Sequence, residues 1–247
     1  MSASSQRAIV TGAASGIGRA TARRLATEGI DVLAVDVAAG GLAELANEGI
    51  GTKVVDISDP AAQKRLAEDA AGADFLVNAA GIIRVKPILE VSREDWRAVM
   101  TVNAESVFFL CQAVGPSLRP GGAIVNVASS SAKLATTVEV APYAASKSAV
   151  TSITRSFAYA FAEIPIRVNA ILPGLVDTPM QDVVVAGVAA ARGIDRATLE
   201  LSRTGAVPLG RAATAEDCAG VIWFLLSEAA AYMTGQSVNL TGGLVTW

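Results

Sequence analysis

Tyr143-Ala-Ala-Ser-Lys147 sets a phenol and an ammonium four residues apart, which on a helix is one turn and one face. A free tyrosine titrates near pH ~10, and bringing one into service as an acid/base near neutrality takes about 4 kcal/mol. A neighbouring ammonium acts in the required direction, because positive charge favours phenolate. The pair gains weight because the chain has no histidine. Ser-His-Asp triads, Cys-His pairs and histidine-ligated zinc are thereby excluded. Proton transfer has to rest on Tyr, Lys, Ser, Asp, Glu, Arg or Asn. The cysteines Cys111 and Cys218 fall in apolar helical patterns and read as buried, inert thiols, so no metal is expected.

The elements that must carry these groups alternate. Apolar runs at Arg7–Thr11, Val32–Val35, Thr52–Ile57, Asp74–Asn78, Ala123–Val127, Ile166–Ile171 and Ser237–Leu240 read as strands. Helical spacing fills Gly16–Glu28, Gly41–Glu48, Ser92–Leu118, Pro142–Phe161 and Ala215–Ser227. Ser58-Asp59-Pro60 starts another helix, with Asp59 as cap and Pro60 at the first position. Strands apolar throughout and alternating with helices predict an α/β fold, a doubly wound parallel sheet covered on both faces. No linker or repeat divides residues 1–247, which read as one domain. Residues 177–208 carry no strand, and are expected to form a helical flap.

Thr11-Gly-Ala-Ala-Ser-Gly16-Ile-Gly18 joins the first strand to the first helix. Helix N-termini expose unpaired amides at a positive dipole end and so suit a pyrophosphate. Gly12, Gly16 and Gly18 are expected to let the backbone approach a ligand closely, with Ser15 and Ile17 between them. Asp36 ends the second strand about 20 residues on, where a carboxylate takes both ribose hydroxyls of NAD and repels a 2′-phosphate. No Lys or Arg stands between residues 37 and 52 to offset it. The expected cofactor is NAD in preference to NADP.

With the glycine loop, Asp36, Asn78-Ala-Ala-Gly81, Asn103, the serine run and Tyr143-x-x-x-Lys147 in this order, the chain resembles the short-chain dehydrogenase/reductases over essentially its whole length. The resemblance implies a Rossmann-like sheet of seven strands, a nicotinamide cofactor and a tetrad of Asn103, Ser129, Tyr143 and Lys147. Tyr143 would be the general acid/base. Lys147 would lower its pKa and hold the nicotinamide ribose, and Asn103 would support a proton relay through the lysine. For the serine, the family's spacing to the tyrosine selects Ser130. Strand register in Ile124-Val-Asn-Val-Ala-Ser129 selects Ser129, which is preferred because a loop absorbs an extra residue more readily than a buried strand does. Asp56 and Ile57 match the adenine-contacting pair, and Asn78, Ala79 and Gly81 match the segment lining the cofactor cleft, although the family usually has Asn-Asn-Ala-Gly there and Ala79 departs from it. Val176 and Thr178 match the segment that meets the carboxamide. Thr241-Gly-Gly stands where the family commonly has Asp-Gly-Gly, in a structural segment.

Gly81-Ile-Ile-Arg84, with Glu94-Asp-Trp96 and Ser106-Val-Phe-Phe109, is similar to enzymes that oxidise deoxy-sugar acids. Arg84 suits bidentate carboxylate recognition. Arg192, Arg196 and Arg203 on the flap would assist, and Thr137 and Glu139 would bind hydroxyls. The expected substrate is a small sugar acid, sugar or polyol, bound also by Ser129 and Tyr143. A ketone or 3-oxoacyl-thioester reductase is the same-class alternative. A catalytically silent NAD-binding regulator is the different-class one, opposed by the intact tetrad. Hydrophobic residues at 52% and charged ones at 17% mark a globular chain, and a net charge of −3 argues against nucleic-acid or anionic-membrane partners. The stretch Met1–Arg7 lacks a signal-peptide layout, and the apolar run Val183–Ala191 is too short to span a bilayer, so a cytoplasmic protein is expected. By family analogy it is expected to be a homotetramer, with Leu244, Val245 and Trp247 forming an apolar tail for a partner subunit to cover.

Overall fold

The strands fall at β1 (Arg7–Thr11), β2 (Asp31–Asp36), β3 (Gly51–Val54), β4 (Phe75–Asn78), β5 (Ala123–Val127), β6 (Arg167–Pro173) and β7 (Ser237–Leu240). In a computed structural model, which describes residues 5–247, they form one parallel sheet in the order β3-β2-β1-β4-β5-β6-β7. Residues 1–4 of the polar N-terminal stretch lie outside the described residues. The strand order, outward from the centre of the sheet, reverses between β1 and β4. In such sheets that switch point opens a crevice at the carboxyl ends of the strands.

Both faces are buried, and alternation within each strand shows how. Ala8 and Val10 of β1, Phe75 and Val77 of β4, and Ala123 and Val125 of β5 pack into one core, while Ile9, Leu76 and Ile124 pack into the other. The first core is closed by α1 (Gly16–Thr27), α2 (Ala39–Asn47) and α9 (Ala215–Leu226), through side chains such as Leu25, Leu45 and Ile222. The second is closed by α3 (Pro60–Asp69), α5 (Ser106–Val114) and α6 (Ala141–Ala160), through Leu66, Leu110 and Val150. Each such side chain contributes roughly 1.5–3 kcal/mol on burial. Cys218 sits in the first core and Cys111 in the second, and burial pushes both thiols up to about 12.

Several boundaries move for local reasons. The third strand stops at Val54 rather than Ile57, because the Asp56 carboxylate takes the Ser58 amide at 2.8 Å and turns the chain. The second helix begins at Ala39, ahead of the expected Gly41, and the helix after Asp59 starts as expected, with the Asp59 carboxylate accepting from Ala61 N. The long helix is one path in pieces. It comprises α4 (Arg93–Met100), opened by a reciprocal Ser92/Asp95 cap, then a π turn over Thr101–Glu105, then α5 and a final 3-10 turn at Gly115–Ser117. By length and composition alone Arg93–Ser117 would reach across a membrane, but half of its most apolar window is buried inside the fold.

The expected flap is two helices, α7 (Pro179–Arg192) and α8 (Arg196–Gly205), turned by Gly193 at φ 64°. Val184, Val185, Val188 and Leu199 form its own small core against Ile83 and Val85 from the loop after β4. The C-terminal tail departs from expectation. Val245 is buried by its own chain, and Thr241 Oγ1 and the Val245 backbone hydrogen-bond both ways at 3.1 Å, leaving Trp247 as the exposed apolar residue there.

Candidate active site

The switch-point crevice is a cleft of about 790 Å³. Its floor is the glycine loop, built differently from the expectation that each glycine clears space for a ligand. A Cβ on Gly12, which has φ 70°, would stand 2.6 Å from the Ala80 backbone, and one on Gly18 only 2.1 Å from the Gly12 carbonyl oxygen. These two glycines let the loop fold onto the protein itself. Only Gly16 faces across the cleft, with the Thr178 methyl 3.3 Å from where its Cβ would be. Ser15 precedes α1 and Thr178 precedes α7, and neither side chain caps its helix. Two helix N-termini therefore meet at one place with their amides uncapped, a cradle for an anionic diphosphate.

Asp36 lines the cleft at the end of β2, with Oδ2 accepting from Ala14 N at 3.0 Å and Oδ1 from Ala38 N at 2.9 Å. Asp56 and Ile57 follow along the wall, and two hydrogen bonds from Ser58 hold the Asp56 carboxyl below its ordinary value. Ala79, Gly81 and Val176 also line the cleft. Asn78 does not: its amide points into the core, donating to Asn126 Oδ1 at 2.9 Å, while Asn126 donates to Thr154 at 3.0 Å. The expectation that Asn78 touches cofactor directly is corrected accordingly.

Ser129, Ser130, Tyr143 and Lys147 share the opposite wall. Lys147 is buried on α6, donates to the Val127 carbonyl at 2.7 Å and lies 5.6 Å from the Tyr143 ring centroid. Burial lowers its ammonium to about 8, since no carboxylate compensates the charge. The same burial raises the Tyr143 phenol, against an opposing hydrogen bond from Ser129. The net direction is thus upward, opposite to the expected effect of Lys147. Ser129 extends from β5 at φ −168° and accepts from Ser131 N at 3.1 Å, and it is the serine whose side chain acts to lower the phenol. Ser130 is buried beside it and has no such effect.

Asn103 lies in the π turn, wholly buried and off the cleft surface. Its Oδ1 accepts from Ile82 N at 2.8 Å, and its Nδ2 donates to Ile82 O at 2.9 Å and Ser146 Oγ at 3.1 Å. Ser146 Oγ in turn donates to the Tyr143 carbonyl at 2.7 Å. Asn103 thus ties the loop after β4 to the turn of α6 that carries Tyr143. It positions that turn, and its Oδ1 and the Lys147 Nζ both face Gly81, 3.4 and 3.6 Å from where a Cβ there would stand.

Two expected substrate contacts are also corrected. Arg84 is exposed and lies outside the cleft lining. Glu139 is buried and held by Arg192 of the flap, with Nε at 2.6 Å and Nη2 at 2.8 Å, so its carboxylate closes a clasp and is not free for a hydroxyl. Arg196 pairs with Asp182 and Glu200 on the outer surface. Thr137, Arg192 and Arg203 do line the cleft. Sequence reasoning missed Leu199, Ser202 and Ala206, which with Arg203 present one face of α8 to it. Their helical spacing was the available signal.

The clasp yields a testable consequence. Arg192 holds the Glu139 carboxyl below its ordinary 4.5, so its contribution is full above about that pH and is lost as pH falls through the lowered value. Arg192 is more than a third exposed, which limits the pair to about 1 kcal/mol. Glu139→Gln should make α7–α8 about fivefold more susceptible to limited proteolysis at neutral pH. The difference should vanish in acid, where the wild-type carboxyl is itself protonated.

The family model described as enoyl-(acyl carrier protein) reductase matches residues 12–245. The 3-oxoacyl-[acyl-carrier-protein] reductase FabG of Thermotoga maritima is 38% identical, over 96% of both chains. D-threitol dehydrogenase of Mycolicibacterium smegmatis is 37% identical, over 96% of this chain and 91% of that one. A provisionally assigned NAD(P)-dependent gluconate 5-dehydrogenase from Beutenbergia cavernae, solved with NADP at low occupancy, superposes with a TM-score of 0.84 at 37% identity, covering 97% of this chain and 96% of the other.

Proposed function

The chain is an oxidoreductase of the short-chain dehydrogenase/reductase family, and from that premise we propose that it uses NAD to interconvert a secondary alcohol and a ketone on a small polar substrate, a sugar acid, sugar or polyol. The observation that carries this reading is the meeting, in one cleft, of two uncapped helix N-termini and Asp36 with the Ser129, Tyr143 and Lys147 side chains. The residues present fit a dinucleotide. The loop from Gly12 to Gly18 would hold the diphosphate and Asp36 the adenosine ribose. Asp56 and Ile57 would flank the adenine, Lys147 would hold the second ribose, and Val176 and Thr178 the carboxamide. When bound, the nicotinamide supplies a two-electron acceptor or donor for the carbinol carbon.

Tyr143 gives or takes the proton at the substrate oxygen. Ser129 donates a hydrogen bond to that oxygen as charge develops on it. Lys147 keeps positive charge beside the phenol, and Asn103 fixes the turn on which Tyr143 rides. The flap excludes water while Arg192 and Glu139 hold it down.

The similarity to FabG favours a second reading, reduction of a 3-oxoacyl thioester. Absorbance assays over sugars, polyols and sugar acids with NAD, and over an acetoacetyl thioester with NADH and NADPH, decide between the two. Turnover confined to apolar ketones or thioesters would sink the first. On the substrate so found, Ser129→Ala should lose turnover by about 10²–10³-fold while Ser130→Ala is milder. The reverse ranking refutes the choice of serine.

A further inference from the structure

Two of the three flap arginines are already committed. Arg192 forks onto Glu139, and Arg196 pairs with Asp182 and Glu200. Arg203, in the last turn of α8, is only partly exposed and lines the cleft, yet among the described residues it makes no hydrogen bond or ion pair. Burial works against its charge, and the one charge acting on it is the like charge of Arg192. A half-buried guanidinium with no counter-charge is costly unless a ligand supplies one.

Nothing in the cleft supplies it. The lining carboxylates, Asp36 and Asp56, stand past β2 and β3, whereas α8 follows β6 on the other side of the switch point. Both already accept hydrogen bonds from neighbouring residues. On the flap side the charged lining groups are Lys147, Arg192 and Arg203, all cationic. Leu199, one turn before Arg203, is buried in the flap core, so α8 cannot roll to carry the guanidinium into solvent without exposing that side chain.

We propose that Arg203 is a substrate-specificity residue that anchors an anionic head group, the carboxylate of a small polyhydroxy acid or the phosphate of a sugar phosphate. The guanidinium fork matches either oxyanion through paired N–H donors. It takes the task that sequence pattern assigned to Arg84. The inference rests on the oxidoreductase reading of the cleft and adds a charge to its substrate.

The test is NAD reduction by the full-length chain over a panel of aldonates, sugar phosphates and the alditols of matching configuration, for wild type, Arg203→Met and Arg203→Lys, with NADH affinity measured by fluorescence. The expected result is turnover of an anionic series, with KM for it raised about 10–100-fold in Arg203→Met, kcat changed far less, alditols unaffected and NADH affinity unchanged. Arg203→Lys should recover part of the loss, since a point charge remains without the fork, and it stands in if the methionine variant does not fold. The series affected, aldonate or sugar phosphate, identifies the head group. A preference for alditols in the wild type, or an equal loss on both classes, overturns the anionic anchor while leaving the oxidoreductase reading intact. Weakened NADH binding overturns it too, because Arg203 would then serve the cofactor. No NAD reduction with any of the three series ends both the anchor and the sugar-acid, sugar or polyol reading, and leaves thioester reduction as the function of the cleft.

Discussion

Tyr143→Phe is expected to lower turnover by about 10²–10⁴-fold in both directions while NADH still binds. Elimination points to this phenol as much as position does. The chain has no histidine, and both thiols are buried and held protonated. Glu139 is locked to Arg192, and Asp36 and Asp56 stand on the β2–β3 side of the cleft. On the proposed reading, the phenol of Tyr143, whose ring centroid lies 5.6 Å from Lys147 Nζ, is the proton-transfer group left at the reacting end. Phenylalanine keeps the ring under the ammonium, so the variant should unfold at close to the wild-type temperature.

The pH profile of the wild type should follow from the same burial. The phenol is raised above its ordinary 10, so at neutral pH it carries its proton. It is then ready to donate to a ketone oxygen, whereas alcohol oxidation needs the phenolate. kcat/KM for oxidation should therefore climb through the alkaline range, with no matching rise for reduction. Residual oxidation in Tyr143→Phe that kept the same alkaline climb would assign the profile to another group. Lys147 is the nearest candidate, with its ammonium lowered to about 8.

What could be read from the sequence was whatever a single element decides. The glycine loop, Asp36 at its strand end and the Tyr143/Lys147 turn each need only local spacing to be recognised, and each lands on the cleft. What could not be read depends on which way a side chain turns once distant elements meet. Asn78 turns inward because Asn126 on the neighbouring strand and Thr154 on α6 offer it a buried polar network. Glu139 loses its expected freedom to an arginine that the sequence places on a separate helix. Arg84 and Arg203 were indistinguishable as letters. The packing of Leu199 against Val184 and Val188 puts one at the cleft, and the loop after β4 leaves the other outside. The π turn at Asn103 likewise has no local signature. Within it the buried Asn103 amide reaches Ile82 and Ser146 together, partners on two distant elements.

Asp36→Asn should carry the other large effect, a fall of about 10–100-fold in the preference for NAD over NADP. The carboxylate is aimed by two backbone amides, Ala14 N at 3.0 Å and Ala38 N at 2.9 Å, so its orientation is set before any ligand arrives. A charged acceptor held this way gains about 1.5–3 kcal/mol per hydrogen bond to a ribose hydroxyl. It also repels a 2′-phosphate through a medium of lower dielectric than water. Arg19, on the helix that follows the glycine loop, offers no relief. Arg19 pairs with Glu44 at 2.7 Å and donates to the Ala14 carbonyl, so it is drawn toward α2 and is not among the residues lining the cleft. Asparagine keeps one carbonyl acceptor for the backbone and removes the charge, which separates electrostatics from loop geometry. The relative solved with NADP makes the measurement decisive. If wild-type kcat/KM is higher with NADP, the Asp36 carboxylate does not select the cofactor. If Asp36→Asn loses both cofactors equally, its role is to hold the Ala14 and Ala38 amides.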